Sequence, residues 1–472
     1  MERRKAHRAP VVLPARYMAN NPTPLKNHKA VTRDIGPNGA ALVFEHRMDP
    51  KAIVEVELEI PDFEGPLKTK GEVVWQREIP WAIAPTFLTG VRFLEIHPAL
   101  TARIERFVAG HLKGYSQFAD EQAVKSFERV QQTARPSWPI PMTTFRTACA
   151  LVAATGCHLP TTKLNNQALI EKSGADLQAI LLQRALGAVE RRAASPDETG
   201  ADLMACAGRA ILESAGCDPK DLDRIICSLD PGDAAAPCAA VHVQTKLGAT
   251  CPAYDVTMSC AGWICAVEQG LRALALGERR ILVLAGSTAG SKAPFRDVKH
   301  RAIFGDGAGG ILLERSHKEK PLATALWADG RFYSRIFSPY PWSVHPRDIP
   351  QEYKGHFYMD PNQNIFFDQL TRVLPHFFQR LLKAAEVTVD QIDHFLLHQP
   401  SGPLFEHSLK LLKAIPRAKV FDSFATYGNL VAAEMPVMLD EGIRSGRIKR
   451  GDIVCMVTYG AGFTMAGLIM HY

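Results

Sequence analysis

A chain of 472 residues is too long for one ordinary hydrophobic core, so at least two folded units are expected. The hydrophobic share of 46% and charged share of 22% are those of a soluble globular protein, and the net charge of +6 is too small for this length to argue for nucleic acid. No uncharged apolar run approaches the roughly 18 residues that a membrane span requires.

Residues 1–30 carry seven Lys/Arg against one acidic residue, opening with ERRKAHR. No apolar segment follows the charges, so this is not a secretory leader. A solvated basic tail is the ordinary fate of such a run. Short strand-like segments come next: Val11–Met18, Ala40–Phe44, Ile53–Ile60, Leu67–Gln76 and Phe87–Phe93. Gly, Pro and Asn punctuate them, the pattern of a small antiparallel β-barrel. Between the first two lies TRDIGPNGAAL, with Asp34, Gly36 and Gly39. Ile104, Phe107, Val108 and Leu112 recur at helical spacing, which predicts helix over about Pro98–Gln132. ARPSWPIPM, Ala134–Met142, is Pro-rich and aperiodic and reads as a linker. The expected division is therefore 1–132, a linker at 133–142, and a second unit at 143–472.

That second unit alternates strands with helices, which argues a layered α/β fold. Strands are predicted near Phe145–Ala153, Arg224–Leu229, Ala253–Met258, Arg280–Ala285 and Gly309–Glu314. A second series follows near Leu322–Ala328, Ile392–His398, Lys419–Phe424, Asp452–Thr458 and Thr464–Met470. Two similar series suggest a duplication, with halves of about 143–318 and 319–472. Phe332–Phe367 is aromatic, Pro-rich and irregular, either a cover over a tunnel or a surface loop. All ten cysteines fall between Cys149 and Cys455. None forms a CxxC pair or a Cys/His group with zinc spacing, so no metal and no cofactor are expected. Scattered thiols suit a reducing cytoplasm.

The chemistry concentrates in Ala253–Gly270, AYDVTMSCAGWICAVEQG. An apolar run changes there to helical spacing, with Trp263, Ile264, Val267 and Leu271 on one face. Cys260 sits at the change-over. At a helix mouth, unpaired N–H groups and the positive dipole end favour the nucleophilic thiolate. Ala261 and Gly262 are small enough to let a substrate carbonyl approach. Most buried cysteines are inert, but two later groups belong with this one. His398 ends the predicted strand in DHFLLHQPS, and Asn429 follows another in ATYGNLVAAE. Open α/β sheets build their sites at the C-terminal ends of strands.

Four motifs carry a family resemblance: DVTMSCAGW, FGDGAGG at Phe304–Gly310, HQ at His398–Gln399, and YGN at Tyr427–Asn429. With TYGAGFTMAG near the C-terminus, the stretch from about Thr144 to Tyr472 resembles the β-ketoacyl-ACP synthase III family, a branch of the thiolase fold. The resemblance implies that Cys260 attacks an acyl thioester of CoA or acyl-carrier protein and holds the acyl group. The backbone N–H groups of Cys260 and Ala461 would form the oxyanion hole. His398, neutral with a hydrogen on Nε2, and the Asn429 amide would bind a malonyl thioester and stabilise the enolate left by loss of carbon dioxide. A homodimer is implied as well.

The N-terminal unit resembles a second family. Arg4 and Arg8, followed by Asp34-x-Gly36-x-x-Gly39, are similar to the PilZ domain, a receptor for cyclic di-GMP. Two arginines grip phosphates and stack on guanines, Asp34 accepts from a guanine N–H edge, and Gly39 lets the turn approach the ligand. The family usually has Ser where this chain has Gly36. The alternative is a barrel without ligand that serves as an interaction module.

Departures in the synthase part bear on the substrate. Gly187-Ala-Val-Glu190-Arg191 resembles the family's GxxER. Counting back, the residues that clamp the adenine of CoA fall on Leu181 and Ala185, with Arg184 adjacent, and a third CoA-side position falls on Ser401. This points away from an acetyl-CoA-primed initiator. Two alternatives to a condensing enzyme stay open: plain acyl transfer from Cys260 to an alcohol or amine, and an inert synthase unit in a cyclic di-GMP-responsive interaction protein.

Overall fold

The computed structural model describes residues 14–19, 25–44, 46–60, 66–78, 87–95, 101–102, 104–105, 142–173, 183, 186–292, 298–316, 321–340, 343–347, 349–360 and 364–472. Arg4, Arg8, Leu181, Arg184, Ala185, the proposed linker except Met142, and nearly all of the helix expected to Gln132 lie outside them. The chain divides into two units. One comprises Met1–Arg135, Asn166–Gly187 and His345–Lys354; the other comprises Pro136–Asn165, Ala188–Val344 and Gly355–Tyr472.

The first unit holds a closed barrel of six antiparallel strands. They are β1 (Pro14–Ala19), β2 (Leu25–Gly36), β3 (Gly39–Phe44), β4 (Ile53–Leu58), β5 (Leu67–Glu78) and β6 (Phe87–Glu95), in the order β1-β2-β3-β6-β5-β4. Alternation sets the inside: Val54, Val56 and Leu58 of β4 are buried, while Ile53 and Glu55 are exposed. Tyr17 and Phe44 stack in the core with ring centroids 4.0 Å apart. Ile104 is fully buried in the same core, and residues 104–105 are helical. β2 corrects the sequence reading. Its sequence LKNHKAVTRDIG carries too many charges and amides to read as a strand, yet it pairs with both β1 and β3. Gly39, expected to admit a ligand, has a packing role: at φ +157, a Cβ there would lie 2.2 Å from the Val91 carbonyl oxygen.

The second unit opens with β7 (Thr143–Thr147) and β8 (Ala150–His158), where one strand was expected. They enter different sheets. A small pair follows, β9 (Lys163–Asn165) with β10 (Glu190–Arg192). Next come α1 (Gly200–Ala215), β11 (Arg224–Leu229), α2 (Ala239–Leu247), β12 (Ala253–Asp255), α3 (Gly262–Ala275), β13 (Arg280–Ser287) and β14 (Gly307–Arg315). After these are β15 (Leu322–Phe332) and a two-stranded ladder, β16 (Ile336–Phe337) with β17 (Tyr358–Met359). The chain then forms α4 (Asn364–Ala385), β18 (His394–Leu397), α5 (Gly402–Leu411), α6 (Glu434–Arg444), β19 (Ile453–Gly460) and β20 (Gly462–His471).

Two five-stranded sheets result, β12-β11-β13-β14-β8 and β18-β19-β20-β15-β7. β11 runs parallel to β13, which is antiparallel to β14, which is antiparallel to β8. In the second sheet β18, β19, β20 and β15 repeat those senses. Lys419–Phe424, expected as a strand, supplies only an isolated bridge from Val420 to Phe395. The rest of that segment is a 3-10 turn, Arg417–Lys419, and a short helix, Phe424–Tyr427.

Alternate residues of each strand face different helices. Ile225, Cys227 and Leu229 of β11 pack toward α1 and α2, while Ile226 packs toward α3. Phe395 and Leu397 of β18 meet α4 and α5, while Leu396 meets the layer of α3 and α6. The unit is thus five layers, helix–sheet–helix–sheet–helix, with both faces of each sheet covered. Carboxylates start the outer helices. Asp233 accepts from the Gly200 and Ala201 N–H groups at the head of α1, and Asp255 from Ala239 and Ala240 at the head of α2. Among the described residues, no helix is long and apolar enough to cross a membrane.

Candidate active site

Cys260 lies between β12 and α3, in a 3-10 turn formed by Ser259–Ala261. Ser259 adopts φ +49, which is unusual for a residue with a side chain. The turn is held tightly from several sides. A Cβ on Gly262 would come within 2.1 Å of Ser228 Oγ, and one on Gly460 within 2.9 Å of the Cys260 amide nitrogen. Thr458 Oγ1 donates to the Cys260 carbonyl at 3.1 Å. The Cys260 amide therefore lies against the turn that carries Ala461, and Thr464 Oγ1 donates to the Ala461 carbonyl at 3.0 Å.

His398 follows the last residue of β18 and is 1% exposed. Its N–H donates to the Val457 carbonyl at 2.9 Å, so the parallel ladder fixes its position. Gln399 clamps the next segment: Nε2 donates to the Phe421 carbonyl at 2.8 Å, and Oε1 accepts from Ser423 and Phe424 N–H at 3.0 Å each. That segment leads to Asn429. The Asn429 N–H donates to the Ile303 carbonyl at 2.8 Å, and its carbonyl accepts from Gly305 N–H at 3.1 Å. Asn429 Oδ1 accepts from Val431 N–H at 2.8 Å, which leaves Nδ2 as the donor end of the amide. The following turn, Val431–Ala433, packs on the turn of Cys260. Cys260, His398, Asn429 and Ala461 thus converge, although Asn429 is carried by a loop after a short helix and not by a strand end.

The remaining motif residues have framework roles. Asp306 of FGDGAGG is fully buried and accepts from Ala194, Gly290 and Ser291 N–H groups at 2.8, 2.8 and 3.3 Å. Arg191 of the GxxER-like stretch is 1% exposed and donates to the Ala302 and Leu164 carbonyls at 2.6 and 3.1 Å. Ser401 caps α5 in position but makes no side-chain cap bond.

Sequence reasoning missed Glu434. It opens α6, is 1% exposed, and its Oε2 meets His398 Nδ1 directly. Its carboxylate also accepts from the Gln399 N–H at 3.2 Å. A lone acid inside the apolar run VAAEMPVM was the available signal, because a buried carboxylate requires a partner. Its presence corrects the neutral Nε2–H histidine expected from sequence. A carboxylate at Nδ1 takes the single hydrogen of a neutral ring, so Nε2 bears one only when the pair holds a second proton. Burial disfavours a charged ring, but Glu434 and the Cys260 sulfur opposite outweigh it, and His398 is pushed up to about 10. The Tyr459 ring stands edge-on to His398 at 5.2 Å, and its hydroxyl meets Ser408 Oγ at 3.1 Å. Asp230, just past β11, was missed too. Burial raises its carboxyl to about 6, against a hydrogen bond from Ser259.

In the barrel, Asp34 lies in β2 opposite Ala41, and Gly36 pairs with Gly39. Among the described residues, no group of three or more His, Cys, Asp or Glu could hold a metal ion.

Comparison with known proteins gives three family matches. Residues 2–110 match the PilZ domain, 254–330 match 3-oxoacyl-[acyl-carrier-protein (ACP)] synthase III, and 382–472 match its C-terminal part. The chain is 32% identical over 314 residues to β-ketoacyl-[acyl-carrier-protein] synthase III of Synechococcus sp. (strain WH7803), covering 66% of this chain and 92% of that protein. A synthase III of Neisseria meningitidis serogroup C is 30% identical, with 68% and 99% covered. The crystal structure of 3-oxoacyl-[acyl-carrier-protein] synthase III from Aquifex aeolicus VF5 superposes with a TM-score of 0.61 at 27% identity, covering 68% of this chain and all of that one.

Proposed function

Because the chain belongs to the β-ketoacyl-[acyl-carrier-protein] synthase III family and carries a PilZ domain ahead of the synthase, we propose that it is a decarboxylating 3-oxoacyl synthase whose output cyclic di-GMP adjusts. The condensing class follows from the family; the donor, the site roles and the regulation are this reading. The observation that carries it is the meeting of Cys260 with the buried His398–Glu434 pair beside Asn429.

In this reading the Cys260 thiolate attacks an acyl thioester, and the Cys260 and Ala461 N–H groups bind the oxyanion. The departing thiolate takes a proton from His398 Nε2, and the ring recovers one from solvent. A malonyl thioester then enters. Its carbonyl accepts from His398 Nε2–H and Asn429 Nδ2, carbon dioxide leaves, and the enolate attacks the acyl-Cys260 carbonyl. The new carbon–carbon bond expels the Cys260 thiolate, which again faces a charged ring. One proton is consumed overall, by the released thiol.

The matching senses of the two sheets support the duplicated organisation of the synthase, and the PilZ match supports Arg4, Arg8, Asp34 and Gly39 as the cyclic di-GMP site. The reading places the enzyme in the cytoplasm, as a homodimer, supplied by acyl-CoA or acyl-carrier protein. The boundaries 1–132 and 143–472 with a linker between them remain part of this reading.

The test is intact-mass screening against acyl-CoA and acyl-carrier-protein thioesters, followed by measurement of carbon dioxide released from malonyl thioesters. An acyl adduct on Cys260 with no release from any malonyl donor would transfer the reading to plain acyl transfer. No adduct with any thioester would leave an inert synthase unit.

A further inference from the structure

We propose that Glu434 is a positioning residue that keeps His398 carrying hydrogen on both ring nitrogens, so that Nε2 remains a donor between the two half-reactions. This rests on the decarboxylating reading above, but part of its test does not.

The geometry is that of a closed pair. Both residues are 1% exposed, so water does not compete for Nδ1. Glu434 Oε2 faces that nitrogen, and the Gln399 N–H donates to Oε1 of the same carboxylate at 3.2 Å. The first turn of α6 adds its positive dipole end to the same group. Among the described residues, three titratable groups face the ring: Glu434 from α6, the Cys260 sulfur from the nucleophile turn, and the Tyr459 phenol from β19. Burial pushes the phenol far above its ordinary range, so it contributes no charge. Asp230 engages Ser259 and not the ring.

The catalytic cycle shows why this matters. While Cys260 is a thiolate, its own charge favours a charged ring. Once Cys260 is acylated that charge is gone, and the departing thiol has taken the Nε2 proton. What then remains against the ring is the Glu434 carboxylate at Nδ1. Without it, the neutral ring can hold its one hydrogen on either nitrogen, so Nε2 donates at most as an uncharged N–H and offers the enolate no positive charge. With it, the ring regains a proton from solvent and donates. Glu434 therefore serves the second half-reaction more than the first.

Glu434→Gln keeps the shape and removes the charge. In the acyl-enzyme the upward push from Cys260 is absent, and in the variant the push from Glu434 is absent as well, so burial alone acts on the ring and holds it uncharged at pH 8. Malonyl decarboxylation by the acyl-enzyme should fall several-fold at pH 8 and recover as the pH is lowered. Glu434→Asp should restore the wild-type pH profile at a reduced rate. A second readout needs no thioester: alkylation of Cys260 by iodoacetamide, followed by peptide mass, should slow several-fold at pH 7 in Glu434→Gln and catch up above about pH 9. Coincident alkylation profiles for wild type and Glu434→Gln would overturn the role of Glu434 while leaving the synthase reading intact. Absence of decarboxylation in the wild type would sink the synthase reading, and the alkylation profiles would still decide Glu434. Should Glu434→Gln fail to fold, the wild-type enzyme alone is informative: decarboxylation by the acyl-enzyme that already falls off near pH 6.5 to 7 refutes the proposal.

Discussion

Gly305→Ala tests whether the malonyl side of the site can be displaced without disturbing the nucleophile. A Cβ on Gly305 would lie 2.0 Å from the Tyr427 carbonyl oxygen. An ordinary carbon–oxygen contact is about 3.3 Å, so the two backbones must part by about 1.3 Å. Both are main chain, and no side-chain rotation relieves the clash. Tyr427 is two residues before Asn429, whose carbonyl is bonded to the Gly305 N–H at 3.1 Å, so the movement reaches Asn429 directly. Cys260 is held instead by β19 and by the close approaches of Gly262 and Gly460. A misplacement of about 1 Å costs about 100-fold in rate, and overpacking a well-filled core costs about 1–3 kcal/mol. We expect acyl loading on Cys260 within a few-fold of wild type by intact mass. Carbon dioxide release from a malonyl thioester should fall about 100-fold, with a Tm lower by several degrees. Wild-type decarboxylation with an unchanged Tm would refute the coupling of FGDGAGG to YGN.

Cys260→Ser should abolish the acyl adduct, whereas substitution of Cys149, Cys157 or Cys455 should leave it; mass spectrometry after thioester exposure checks this. Burial and Asp440 push the Cys157 thiol up to about 12, so it stays protonated and its peptide should remain unmodified by iodoacetamide at pH 8. His398→Ala and Asn429→Ala should load Cys260 yet lose at least tenfold in decarboxylation, read as released carbon dioxide. Cyclic di-GMP should bind the full chain in calorimetry, and Arg4→Ala/Arg8→Ala should eliminate the heat; equal binding by that variant would reduce the barrel to an interaction module. Coupling to the synthase, if carried, is of the usual 1–3 kcal/mol, a several-fold to roughly hundred-fold change in apparent substrate affinity.

The motifs were legible because each is local. A cysteine at a strand-to-helix change, a histidine ending an apolar run and glycines at fixed spacing all survive in one dimension. The misses share a physical reason, namely partners distant in sequence. β2 reads as polar because Lys26, Lys29, Arg33 and Asp34 crowd its sequence, while the ladders with β1 and β3 that make it a strand are formed with residues outside that stretch. Lys419–Phe424 has strand composition, but Gln399 holds Phe421, Ser423 and Phe424 through side-chain bonds and so diverts the backbone from a ladder. Glu434 resembles an ordinary helix-opening acid until β18 brings His398 against it from 36 positions away.

The layer of α3 and α6 has a consequence for how the protein is made. α3 is buried on nearly every side, between the sheet that β14 completes and the sheet that waits for β18, β19 and β20. Thr458, which holds the Cys260 carbonyl, follows it by 198 positions. At about 5–20 residues per second of synthesis, that gap lasts about 10–40 s. Throughout it the nascent chain exposes an apolar helix and an unguarded thiol that no second sheet yet covers. Translation speed, chaperone supply and thiol-reactive stress therefore bear on the yield of active synthase. The barrel is made first and closes on itself through nearby strands, so it has no comparable interval of exposure.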